Sequence, residues 1–113
     1  MANHAYWKYS GDELNHKIEV LQNQKKTDNG IYYRLLANLY NYYISKADKD
    51  NTGNRCYSNY KEMMSATFDG TDAYRSFSVL KDYQRDLIKL GYIELDKDDE
   101  GKWFVEILKP LDF

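Results

Sequence analysis

A chain of 113 residues, 42% hydrophobic and 30% charged, fits one domain with apolar material for a core and a charged exterior that keeps it in water. No stretch approaches the roughly 18 consecutive apolar residues that span a bilayer, and residues 1–10 lack the basic patch and apolar run of a secretory signal, so no membrane partner is expected. A single cysteine, Cys56, excludes an internal disulfide framework and suits a reducing, cytoplasmic location, while the net charge of −2 lacks the basic excess first sought in a nucleic-acid binder.

Ser10-Gly11-Asp12-Glu13 has the form of a capping box, with Ser10 at the N-cap and Glu13 three residues on. Leu14, Ile18 and Leu21 follow at helical spacing, which predicts an amphipathic helix over residues 11–24. That helix falls in an N-terminal segment, residues 1–29, ahead of a domain at 30–113. A second helix is expected over residues 31–46. Ile31, Leu35, Leu39 and Tyr42 lie along one side of it, and Tyr33, Ala37, Tyr40 and Ile44 along another. Such an apolar circumference exceeds what a surface helix needs. The helix is therefore either central to the domain or covered in part by a second copy, in which case Tyr33, Tyr40 and Ile44 are candidate interface residues.

Residues 47–54 read as a loop rich in Asp, Asn and Gly. Asp48-Lys49-Asp50-Asn51-Thr52-Gly53 matches the first half of a calcium loop, but Asn59 stands where the bidentate Glu belongs. A surface turn explains the run better. His4, His16 and Cys56 lack zinc-ligand spacing, so neither a metal nor a cofactor is expected. Arg55-Cys56-Tyr57 suits a very short strand, and Ser58 is expected to cap a helix over residues 59–66 whose apolar side is Tyr60, Met63 and Met64. After turn chemistry at Phe68-Asp69-Gly70-Thr71, Thr71 or Asp72 can cap the longest helix, reaching Leu90. Its inner face is expected to hold Ala73, Phe77, Leu80, Leu87 and Leu90, with Gly91 as a positive-φ stop. Residues 92–95 and 103–107 read as strands joined by a polar turn at 96–102. Trp103 and Phe104 could be offered as a stacking platform for single strands, but one of two consecutive strand residues should point into the core, leaving at most one. No nucleophile elbow, phosphate loop or His-based metal motif appears, so an enzyme is not expected.

The order helix, helix, turn, helix, Gly, strand, turn, strand is the plan of a winged helix-turn-helix, mainly α with a small β-hairpin wing. Tyr57-Ser58-Asn59-Tyr60-Lys61-Glu62-Met63-Met64 resembles the start of helix two in such domains, and Leu87-Ile88-Lys89-Leu90-Gly91-Tyr92-Ile93-Glu94 resembles their junction into the wing. Gly30-Ile31-Tyr32-Tyr33-Arg34-Leu35-Leu36-Ala37-Asn38-Leu39, with the loop and Tyr57-Ser58, is similar to the N-terminal domain of phage replisome organisers and DnaD-type primosome proteins, over about residues 30–107. The resemblance implies replication initiation or regulation in a bacterium, phage or plasmid, where such domains serve protein assembly as well as DNA contact.

On double-stranded DNA the third helix would enter the major groove with its N-terminal half. Arg75 and Ser78 would then read bases beside Tyr74, while Lys61, Lys81 and Arg85 take phosphates and Lys97 and Lys102 reach from the wing. One domain offers few base contacts, so a homodimer is expected. The charge pattern opposes this reading: residues 1–57 carry a net +2 and residues 58–113 a net −4. Asp82 and Asp86 interleave with Arg85 and Lys89 as on a self-paired helix face. The tip Asp96-Lys97-Asp98-Asp99-Glu100 holds four acids and one base, which would repel a phosphate backbone. The alternative is a winged-helix module for protein interaction or oligomerisation, without direct DNA contact.

Overall fold

A computed structural model describes residues 30–69 and 76–110, with side chains in the first helix from Arg34 onward. The expected helix over residues 11–24 and its capping box, Tyr74, Arg75 and the side chain of Tyr33 lie outside the described residues. The described chain is α+β, with helices α1 (Gly30–Asp50), α2 (Tyr60–Phe68) and α3 (Phe77–Lys89) and strands β1 (Arg55–Cys56), β2 (Ile93–Lys97) and β3 (Trp103–Ile107). The strands form one antiparallel sheet in the order β1-β3-β2. No helix among the described residues is long and apolar enough to cross a membrane.

α1 is the central helix. Leu35, Leu36, Ala37, Leu39, Tyr40, Tyr42, Tyr43, Ile44 and Ala47 are all buried, and the helix meets α2, α3, β1 and β3. Its wide apolar circumference is thus used within one chain. Tyr40 and Ile44, expected at a partner surface, are 0% exposed inside this core. The tyrosines enter it because their hydroxyls find partners, which removes the cost of burying a polar tip. Tyr40 donates to the Lys109 carbonyl at 2.8 Å, and Gln84 Nε2 donates to the Tyr43 hydroxyl at 2.9 Å. The Tyr42 hydroxyl accepts from the Asn59 N–H at 3.0 Å and donates to the Asn59 carbonyl at 3.3 Å.

The helix also outruns its expected end. Asp48-Lys49-Asp50, read as loop, forms the last turn of α1, with Lys46 and Asp50 paired at 2.9 Å one turn apart. Asn51, at φ 56°, takes the left-handed position that closes it. The N–H groups of Thr52 and Asn51 then satisfy the carbonyls of Ala47 (3.0 Å) and Asp48 (3.2 Å). α3 ends the same way, on Gly91 at φ 83°. There the N–H groups of Tyr92 and Gly91 reach Leu87 and Ile88 at 3.0 Å each.

Helix starts differ from expectation. Asn59, not Ser58, caps α2, its Oδ1 accepting from Glu62 N–H at 3.0 Å. α3 begins at Phe77, capped by Ser76 Oγ on the Ser78 N–H at 3.2 Å, rather than at Thr71 or Asp72. Leu80 and Leu87 form the inner face as expected, but Phe77 and Leu90 are 56% and 51% exposed. Phe77 sits at the very start of the helix and Leu90 just past its last turn, so neither lies over the core.

The register Ile93↔Ile107, Leu95↔Val105, Lys97↔Trp103 and Cys56↔Val105 puts these side chains on one face of the sheet. Ile93, Ile107, Val105 and Cys56 there join the helical core. Arg55, Glu94, Asp96, Phe104 and Glu106 alternate to the outer face. β2 runs through Asp96 and Lys97, so the turn is shorter than expected. Gly101, at φ 79°, completes it, with its N–H on the Asp98 carbonyl and the Asp98 N–H on the Lys102 carbonyl, both at 2.9 Å.

Candidate nucleic-acid interface

α3 presents a polar strip to solvent. Ser78, Lys81, Asp82, Arg85 and Lys89 are exposed on it, as the spacing from Leu80 and Leu87 requires. Arg85 meets Asp82 at 3.7 Å with both side chains more than half exposed. A solvated pair of this kind is weak, so the guanidinium can exchange its acid for another anion at little cost. Lys81 forms no ion pair among the described residues. Lys61, in the first turn of α2, is exposed as well.

The two lysines of the hairpin are not brought together. Lys97 lies on the helix-facing side, its ammonium 4.8 Å from the centre of the Trp103 ring. Lys102 packs over the Tyr57 ring at 4.9 Å, where Tyr57 also meets Phe104 of the outer face. Of the tip acids expected to repel a polyanion, Asp99 and Glu100 are exposed in the turn, while Asp96 and Asp98 are placed otherwise. Glu94 and Asp96 are on the outer face, with Glu106 beside Arg55. Arg55 in turn lies over Phe104, 4.4 Å from its centre. Asp98 is consumed in holding the turn: its Oδ1 accepts from the N–H groups of Lys102 at 2.8 Å and Glu100 at 2.9 Å, and its Oδ2 from the Tyr57 hydroxyl at 2.9 Å. The Lys102 N–H first, and the Tyr57 hydroxyl after it, hold the Asp98 carboxyl below its ordinary range.

Between α2, α3 and the hairpin lies a cleft of about 80 Å³, lined among others by Ser58, Tyr60, Met63, Gln84, Leu95 and Trp103. Sequence reasoning placed Tyr60 on an inner face, yet it is 50% exposed and touches Phe77 edge-on at 6.1 Å. Trp103 is 59% exposed and Leu95 is also open, because the distal half of the hairpin extends past the helices. Phe104 is buried, but under Arg55 and Tyr57 rather than among the helices. The strand alternation that separates Trp103 from Phe104 was readable in the sequence. That Tyr60 comes beside Trp103 was not, since the two are far apart in the chain.

Cys56 is fully buried, and burial pushes its thiol up to about 11, so it is a protonated core residue near neutral pH. Among the described residues no group of three or more His, Cys, Asp and Glu side chains is placed to hold a metal ion. No protein family, characterised protein or solved structure matches this chain.

Proposed function

We propose that the chain is a winged helix-turn-helix protein that binds double-stranded DNA through α3, in transcription control or replication initiation of a bacterium, phage or plasmid. The observation that carries this reading is the element order α1-β1-α2-α3-β2-β3 with sheet order β1-β3-β2, which leaves α3 open along Ser78, Lys81 and Arg85. In this role α2 and α3 are the helix-turn-helix pair and the β2–β3 hairpin is the wing. Ser78, near the N-terminus of α3, faces base edges, while Lys81, Arg85 and Lys61 neutralise phosphates. Because the strand acids Glu94 and Asp96 face away from the cleft, a duplex on the α3 side meets Lys97 rather than them. Two copies would supply the base contacts that one domain lacks.

The alternative, a protein-interaction module built on α1, loses most of its surface, since Tyr40 and Ile44 are consumed in the core. The test is anisotropy of a labelled generic duplex titrated with protein at low and moderate salt. Binding should weaken steeply with salt and disappear in the double variant Lys81→Glu, Arg85→Glu, whose far-UV circular dichroism stays that of the parent. No binding at low salt, or equal affinity in the double variant, overturns the assignment of α3.

A further inference from the structure

Docking α3 in a groove leaves the neighbouring cleft unused. Three aromatic rings stand open at or beside it: Tyr60, Phe77 and Trp103. Exposing such rings forgoes the burial energy that large aromatics ordinarily supply to a core. No charged side chain lines the cleft, and cations mark its margins. Lys97 sits over Trp103, and Lys81 lies on α3 four residues after Phe77 and three before Gln84, on their side of the helix. The carboxylates of the hairpin strands, Glu94, Asp96 and Glu106, are on the opposite face of the sheet.

Rings that any base can stack on, with cations beside them and the strand carboxylates on the far side of the sheet, are the chemistry of a surface for unpaired nucleotides. We propose that this cleft holds a base of single-stranded nucleic acid, stacked on Trp103 with Tyr60 as the second wall, its phosphates met by Lys97 and Lys81. Lys97 need not block the cleft, because a cation–π contact at an exposed site is weak and the lysine stem is flexible. The inference rests on the reading of this side of the molecule as a nucleic-acid surface, and gives the hairpin a role separate from that of α3.

The test uses the full chain carrying Trp7→Phe, which leaves Trp103 as its single indole. Labelled oligothymidylate and oligouridylate are titrated beside the duplex. Stacking should quench the indole emission, and the two oligonucleotides tell DNA from RNA. Trp103→Ala, checked for an unchanged circular dichroism spectrum, should lose about tenfold or more in single-strand affinity, whereas Trp103→Phe, which keeps a ring, should retain most of it. Duplex affinity should be indifferent to Trp103. If the duplex binds and single strands do not, or bind equally well without Trp103, the cleft assignment is overturned and that of α3 stands. Single-strand binding that depends on Trp103, with no duplex binding, overturns α3 and keeps the cleft. Failure of both ligands overturns both and leaves the cleft to a protein partner.

Discussion

Tyr43 in α1 and Trp103 in β3 are both large aromatics with a polar tip, yet Tyr43 is fully buried while Trp103 is more than half exposed. Tyr43 is surrounded by helices and sheet, with Gln84 donating to its hydroxyl. Burial pushes that hydroxyl far above its ordinary range, favouring its neutral form. Trp103 lies on the same sheet face as Val105 and Ile107, but in the cleft that α2 and α3 line without covering, so more than half of it stays exposed. Residue type does not separate the two positions; the distance of each from the helical layer does. Aromatics in α1 therefore serve stability, and those around the cleft are available to a partner.

The contrast should break first in stability. Tyr43→Ala removes a buried ring and orphans Gln84, and should cost about 3–5 kcal/mol, read from the shift in denaturant midpoint. The same truncation at Trp103 should stay within about 0.5 kcal/mol. Comparable losses at both sites would mean that the cleft belongs to the core. Next in size is Gly91→Ala at the junction of α3 with the hairpin. A Cβ there meets nothing nearer than the Lys109 side chain at 3.9 Å, so the cost comes from the backbone at φ 83° and should be about 1–2 kcal/mol by thermal or chemical melting. A neutral or stabilising Gly91→Ala would show that the left-handed stop is not required.

The smallest effect is confined to the hairpin tip. The Asp98 carboxyl is held below its ordinary value of 3.8, chiefly by the Lys102 N–H. A depressed folded pKa means that its contribution is complete above the ordinary value and is lost only as pH falls through the lowered one. The amide resonances of Glu100 and Lys102 should accordingly titrate on the acid side of 3.8, and together. Titration at the ordinary value would show that the carboxylate does not hold the turn.

Much of the plan was legible in the sequence, and the reasons are local. Period-3.6 patterning marked α1, α2 and α3, alternation marked β3 at its observed bounds, and Gly91 marked the end of α3 because a left-handed residue there is cheapest as glycine. The misplaced boundaries were settled by single caps: Ser76 over Thr71 or Asp72, Asn59 over Ser58, and Asn51 carrying α1 four residues further. Each of these residues was visible, but several neighbours offered the same chemistry. Of the candidate site, the exposed strip on α3 followed from helical spacing alone. The cleft did not, because it depends on residues distant in the chain.

By itself, then, the sequence determined the order of helices and strands and that neighbouring strand residues alternate between faces, since these depend on neighbours a few positions away. Only the tertiary structure decided that Tyr40, Tyr43 and Ile44 are interior, that Tyr60 and Trp103 share a cleft, and that the face carrying Lys97 rather than the one carrying the strand acids is turned to the helices. Those outcomes depend on how far the helical layer extends over the sheet, a property of packing that no local pattern encodes.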